Sequence, residues 1–510
     1  MKIQSLLLAG ALLPFCAVAQ DKPAAAQDKP AAAPAAESPQ ELMQQKAAAL
    51  TEEQIKQSHD LTALSALAQI YGAQDDMKHL IWTLQRVVEL MPNSGELKLQ
   101  LAMAYAKANE KSKAYDTLLR MQVQGFGFDI AKDPRFEPIH GTRVWDYLVA
   151  NLAANAKQFG EGKVAFELPR GDHLYNALAW DATRKQLLVG SEREGKVLRA
   201  DVNGKLSEFI APDASNGMWG VDALAVDEAH GKLYVASAAS LRYKGFDKDN
   251  AGKAGLFEFE LATGKFVKKY TFPQSEGAHV LTSVVVGKDG QVYAADGPRR
   301  SVYKLENGAF RSIVNNPRLS GITGLALSDN GKTLYIADYA MGIFGFDLTK
   351  SAAFELAYDP SRLVLGGIDS MYWYAGNLIV LESGMVPKRV MRVKLSDDGH
   401  AIVSAMPLDV AQPAFDNIGQ AAVAGDNLYF VANREDELYD DHGVLTDASA
   451  LEPISIFRSD LRFAWDQKGI AAGTGLVPIG PAPGKFERKP GVQPPENDKG
   501  SKQPAADGKN

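Results

Sequence analysis

Cysteine is nearly missing from this chain: there is one in 510 residues, Cys16. Past that position there is no thiol, which excludes a disulfide framework, a cysteine nucleophile and a thiolate zinc site. Excess positive charge is missing too. The formal net charge is −7, and without a basic stripe a nucleic-acid partner is excluded. The sequence has no G-x-S-x-G, no H-E-x-x-H and no G-x-x-x-x-G-K-S/T, so three familiar catalytic and phosphate-binding devices are absent. The apolar run near the start, LLLAGALLPF, is too short to span a bilayer, and no transmembrane segment is expected.

What the start does hold is an export pattern. Lys2, that apolar run and Ala17-Val18-Ala19 read as a Sec-type signal peptide over 1–19, with Cys16 inside it. This places the mature chain in the periplasm or outside the cell. Residues 20–40 are Pro/Ala-rich with a DKPAAA duplication, an extended linker. Residues 483–510, rich in Pro, Gly, Lys and Asp, read as a disordered tail.

Residues 41–160 have helical periodicity and an internal repeat. Leu67, Ala68, Tyr71, Leu80 and Leu84 recur 34 positions later as Leu101, Ala102, Tyr105, Ala114 and Leu118. That period, with small residues where helices cross and Pro92 after the second helix, resembles tetratricopeptide repeats. Two units are expected, over 58–92 and 93–125. A helix near 40–57 and another at 143–157 cap the stack. Two roles stay open: a groove for a protein partner, or a helical cap docked on the rest of the chain.

From 163 to 480 a different phrase recurs six times. It is an apolar strand, a tight turn, and a second apolar strand with a polar end. The copies are YNALAWDATRKQLLVGSE, VDALAVDEAHGKLYVASA, LTSVVVGKDGQVYAADG, ITGLALSDNGKTLYIADY, IDSMYWYAGNLIVLES and NIGQAAVAGDNLYFVAN. Asp289-Gly290, Asn330-Gly331, His230-Gly231 and Gly376-Asn377 supply the positive φ such turns need. A third strand follows each copy, for example KVLRADV, GLFEFEL and ISIFRSD. A spare strand, KVAFELP (163–169), precedes the first copy and is placed to complete the last blade. The expected fold is mainly β: a six-bladed β-propeller preceded by a small all-α tetratricopeptide-like domain.

In a blade the first two strands run antiparallel, so the start of one and the end of the other share a face. Asn176, Asp222, Thr282, Thr323, Asp369 and Asn417 therefore ring one mouth of the channel, with Glu192, Asp296, Asp338 and Glu382 around them. Such an oxygen-rich acidic collar suits a hard cation, Ca²⁺ first. His173 and His279 stand just before the ring, and a His beside Asp296 or Asp222 is a candidate general base. Asp296 and Asp338 also suit turn caps. The stretch DKDNAGKAGLFE (247–258) has calcium-loop spacing but Ala251 in place of a ligand, and reads instead as part of a long polar insertion over the mouth.

The six copies, and GITGLALSDNGKTLYIADYAMGIFGFD above all, resemble the gluconolactonase / senescence-marker-protein (regucalcin) family over about 165–460. The resemblance implies a divalent metal on Asp369, with Asn176 in place of a Glu, Thr282 or Ser283 in place of one Asn, and Thr323 in place of another. Two functions follow as expectations. One is a metal-assisted lactone or ester hydrolase acting on a small molecule, with His279, Asp222 and Asp296 as the proton-handling groups. The other is a non-catalytic periplasmic binding or scaffold protein.

Overall fold

The computed structural model describes residues 50–463 apart from 202 and 274–276. The expected signal peptide and linker, the start of the expected helical domain and the chain beyond 463 lie outside the described residues.

Helices begin where a short polar side chain meets the first free amides. Asp60 accepts from Thr62 and Ala63 at the start of α2 (Leu61–Ala73). Asp76 accepts from His79 at α3 (Met77–Leu90), and Ser94 from Leu97 at α4 (Gly95–Lys107). Thr51 and Gln54 close a capping box on α1 (Glu52–Gln57). α5 (Lys111–Val123) and α6 (Arg143–Asn155) complete the set. The helix pairs α2–α3 and α4–α5 coincide with the two repeat units. Ala102 and Ala114 are fully buried where α4 meets α5.

Residues 163–460 form six four-stranded antiparallel sheets. Blades one to five run strand by strand from the axis outward, over 175–210, 220–271, 281–315, 322–355 and 368–410. Gly231, Gly290, Gly331, Gly376 and Gly425 take positive φ in the first turns of blades two to six, whereas Lys185 does so in blade one. The sixth sheet takes three strands from 421–460, and its outermost strand is Lys163–Leu168, paired with Ile454–Asp460. The ring is thus closed by the spare strand.

The helical domain is docked on the mouth end of the propeller. Val364 and Met385, from loops at that end of blades four and five, share one apolar core with Phe126, Phe136 and Trp145. Asn93 Nδ2 donates to the Ala340 carbonyl at 3.0 Å, and Gln124 Nε2 to that of Pro360 at 2.8 Å. The cap role foreseen for these helices matches this contact.

The connection from helices to ring is held by one buried carboxylate. Asp409 accepts from the Gly162 amide at 2.9 Å and Gln412 Nε2 at 3.2 Å, and from the Ser459 hydroxyl. A Cβ at Gly160 or Gly162 would come within 2.2 or 2.6 Å of that carboxylate. Burial pushes the Asp409 carboxyl up to about 7, against the pull of its donors. The folded state therefore holds a proton that the unfolded chain releases near pH 4. The stabilisation is complete below that value and is lost as pH rises to about 7. In Asp409→Asn the thermal midpoint is expected to lose this part of its decline between pH 4 and 7. A midpoint profile parallel to that of the parent protein contradicts it.

Candidate functional site

The polar ring has a backbone cause that the alternating pattern conceals. In blades one to five the pairing of the inner strand slips by one residue near its start. The skipped residues are Asn176, Asp222, Thr282, Thr323 and Asp369. Each is the extra residue of a β-bulge, freed from the ladder and placed at the channel. Blade six differs. Asn417 is bonded through Nδ2 to Asp436 at 2.8 Å, and Gln420 takes the axial place. Gln420 Nε2 donates across the channel to the carbonyls of Asp222 at 2.8 Å and Thr282 at 3.2 Å. One carboxamide thereby links blade six to blades two and three and floors the mouth.

The ring residues have unequal freedom. Thr282 Oγ1 donates to the Ile322 carbonyl at 2.8 Å and Thr323 Oγ1 to that of Ile368 at 2.7 Å, so both hydroxyls staple one blade to the next. Asp369 accepts from the Ser383 amide at 3.0 Å and from its hydroxyl, and faces Arg434 Nη2 at 3.6 Å. Arg434 is held in turn by Asp436 at 2.6 Å and by Asn417 Oδ1 at 3.2 Å. By contrast, Asn176 Oδ1 and Asp222 Oδ2 are buried with no hydrogen-bond partner.

A divalent cation does not fit this donor set. Ca²⁺ takes six to eight oxygens. Here two of the ring oxygens are engaged as donors to backbone, and Asp369 already serves Ser383 and a guanidinium. No group of three or more His, Cys, Asp or Glu among the described residues is arranged to hold a metal. The calcium-loop match is also spent: Asp247 caps a short turn, and Glu258 binds Lys232 at 2.8 Å and Tyr270 at 2.7 Å.

The acidic collar separates in the same way. Asp338 accepts from the amides of Ser320, Gly321, Ala340 and Met341, the turn-cap role. Glu382 is paired with Arg389. Asp296 and His279 do meet, at 2.7 Å, but both are almost fully buried, and the imidazole is stacked on Phe272 with centroids 3.9 Å apart. Asp222 has other electrostatic neighbours, Glu192 and Arg242. The structure therefore joins His279 to Asp296 and leaves Asp222 with a different group.

That group is Glu192, Asp222, Ser240, Arg242 and Arg434. Glu192 accepts from Ser240 Oγ at 3.3 Å and lies 3.7 Å from Arg242 Nη1. Asp222 is 8% exposed and Glu192 7%. Burial pushes the Asp222 carboxyl well above the usual carboxylate range, Glu192 adds to the push, and Arg242 opposes it. Burial raises Glu192 as well, with Arg242 opposing. Two insertions roof this group. Arg193 ties them together, donating to the carbonyls of Arg242 and Gly443 and pairing with Asp172 at 2.6 Å. Sequence reading missed Arg242 and Arg434, which enter from insertions with no periodic pattern.

No family model matches the chain, and no curated protein matches it. Similar solved structures include a gluconolactonase from Xanthomonas campestris, 15% identical over 60% of this chain and 92% of that one, with a TM-score of 0.39. An aldose sugar dehydrogenase from Streptomyces coelicolor in its PQQ-bound form is 16% identical over 60% of this chain and 98% of that one, TM-score 0.37. A virginiamycin B lyase from Staphylococcus aureus is 15% identical over 53% and 82%, TM-score 0.37. Identities and overlaps this low say nothing about chemistry. No helix among the described residues is long and apolar enough to cross a membrane.

Proposed function

We propose that this is an exported propeller enzyme that opens a small hydroxylated lactone or ester at the channel mouth, with a carboxyl pair doing the work a cation would do. The observation that carries the reading is Asp222 Oδ2, buried without a partner beside Glu192. An unpartnered buried carboxyl is costly, and two buried carboxyls beside one guanidinium at a channel mouth mark a reacting site.

The roles follow from the two environments. Asp222, whose Oδ2 has no partner and whose carboxyl is pushed up by burial and by Glu192, holds its proton and is the acid. Glu192, steadied by Arg242 and Ser240, is the base. Glu192 takes a proton from water as the water oxygen bonds to the acyl carbon. The Arg242 guanidinium meets the oxyanion that forms. The acyl carbon–oxygen bond then breaks, and the leaving oxygen receives the proton of Asp222. Glu192 returns its proton to Asp222 through solvent. Asn176 Oδ1 accepts from a substrate hydroxyl.

Acid release from a panel of lactones and aryl esters tests this, measured by pH-stat with and without EDTA. Turnover that persists in EDTA is expected. No turnover across the panel sinks the enzyme and leaves the binding-protein alternative. Turnover that requires added Ca²⁺ or Mn²⁺ sinks the carboxyl-pair chemistry.

A further inference from the structure

The insertion that roofs the mouth has a second side. Arg242 turns toward Glu192, while its neighbour Tyr243 walls a cavity of about 550 Å³ on the outer part of blade two. That volume accommodates a small organic molecule. Two walls are apolar and fixed. Trp219 is edge-on to Phe257 with centroids 5.7 Å apart. Phe272 is clamped between His279 at 3.9 Å and Phe310 at 4.2 Å, both rings parallel to it. The buried His279–Asp296 pair thus supports a wall of this cavity.

Two lysines stand among the polar residues around it. Among the described residues Lys269 forms no ion pair, and Lys253 Nζ donates only to Asn250 Oδ1, at 3.0 Å. Trp219 and Tyr243 also line the cavity, and among the described residues no Asp or Glu does. Two ammonium groups, with no carboxylate among the described lining residues, call for an acceptor-rich anion. Aromatic side chains in the wall, Trp219, Tyr243 and the free edge of Phe272, pack well against a ring on the same molecule.

We infer that this cavity is a second binding site, separate from the mouth, for a small organic anion that carries a ring, such as an aromatic carboxylate. The site stands on its own donors and walls and does not depend on hydrolysis at the mouth. Rigid walls lower the ordering cost of binding.

Calorimetry on the mature protein tests it with three probes: benzoate, benzyl alcohol as the neutral match, and inorganic phosphate as an anion without a ring. Benzoate is expected to bind saturably and more tightly than either control. Its affinity falls tenfold or more in Lys269→Ala, an exposed site that does not threaten folding, and in Trp219→Ala, which removes an aromatic wall. Asp222→Asn leaves it unchanged. Absence of saturable benzoate binding overturns the site. So does benzyl alcohol or phosphate binding as tightly, or benzoate binding that Asp222→Asn removes and Lys269→Ala does not.

Discussion

Asp222→Asn is expected to lower kcat/KM for lactone opening by about 100-fold or more, the usual range for loss of a general acid. The substitution keeps the shape of the side chain and removes the proton that the leaving oxygen needs. The loss falls on kcat more than on KM, because the transferred proton matters only as the bond breaks. Glu192→Gln gives a loss of similar size by removing the base. The acid limb of the pH profile belongs to the base, Glu192, and the alkaline limb to the acid, Asp222, both carboxyls being pushed up by burial. Asp222→Asn therefore removes the alkaline limb. Stability moves in the opposite sense. Asp222 is raised in the folded state, so its contribution is full below the unfolded value near 4 and is lost as pH rises. The asparagine variant is then at least as stable as the parent at neutral pH, which separates a chemical loss from a folding loss. An Asp222→Asn protein with unchanged kcat contradicts the acid role.

The largest loss of stability is expected from Arg389→Ala. Arg389 Nε meets Glu382 Oε2 at 2.5 Å, with side chains 4% and 0% exposed. Nη2 donates to the Val364 carbonyl at 3.0 Å, in a loop that touches the helical domain. Burial raises the Glu382 carboxyl, and Arg389 opposes that rise. Without the guanidinium, Glu382 is left as an unpaired buried charge beneath the helices. Removing one partner of such a pair costs about 3–5 kcal/mol. Urea unfolding measures it, and cleavage near 156–162 by a protease reports whether the helices have loosened from the ring. Replacing both residues by methionine should recover most of the loss, since the remaining cost of a buried pair is its desolvation. Arg389→Ala with a midpoint close to that of the parent contradicts the reading.

Much of the fold was legible because it is written locally. Each hairpin has its apolar strands and its turn residue within one short stretch, so the six blades could be counted. The two helical units could be placed from Ala102, Ala114 and the 34-residue period. The bulges were invisible, since a slip of pairing leaves no mark in the pattern of side chains. The identities of Asn176, Asp222, Thr282, Thr323 and Asp369 were nevertheless found, because strand ends are fixed by hairpin length. What failed to show was which oxygens are free. Thr282 and Thr323 look like ligands until the next blade's carbonyl is in place. Asp369 looks available until Arg434 enters from an insertion after the second strand of blade six. Gln420 carries no signal of its own, because its partners come from blades on the far side of the ring.

Lys163–Leu168 completes the sheet that ends with Ile454–Asp460. The last pairing therefore joins the two ends of the propeller sequence, and no ring exists until the final strand has been made. A chain with five finished blades still has open flanks on blades one and five. Contacts of such sequence range form slowly, and unpaired strand edges invite association in the meantime. The helical domain, built of neighbouring contacts, is ready long before. The order of assembly is then helices first, blades next and closure last. A chain interrupted anywhere before Ile454 lacks the strand that Lys163–Leu168 must join, and its ring stays open.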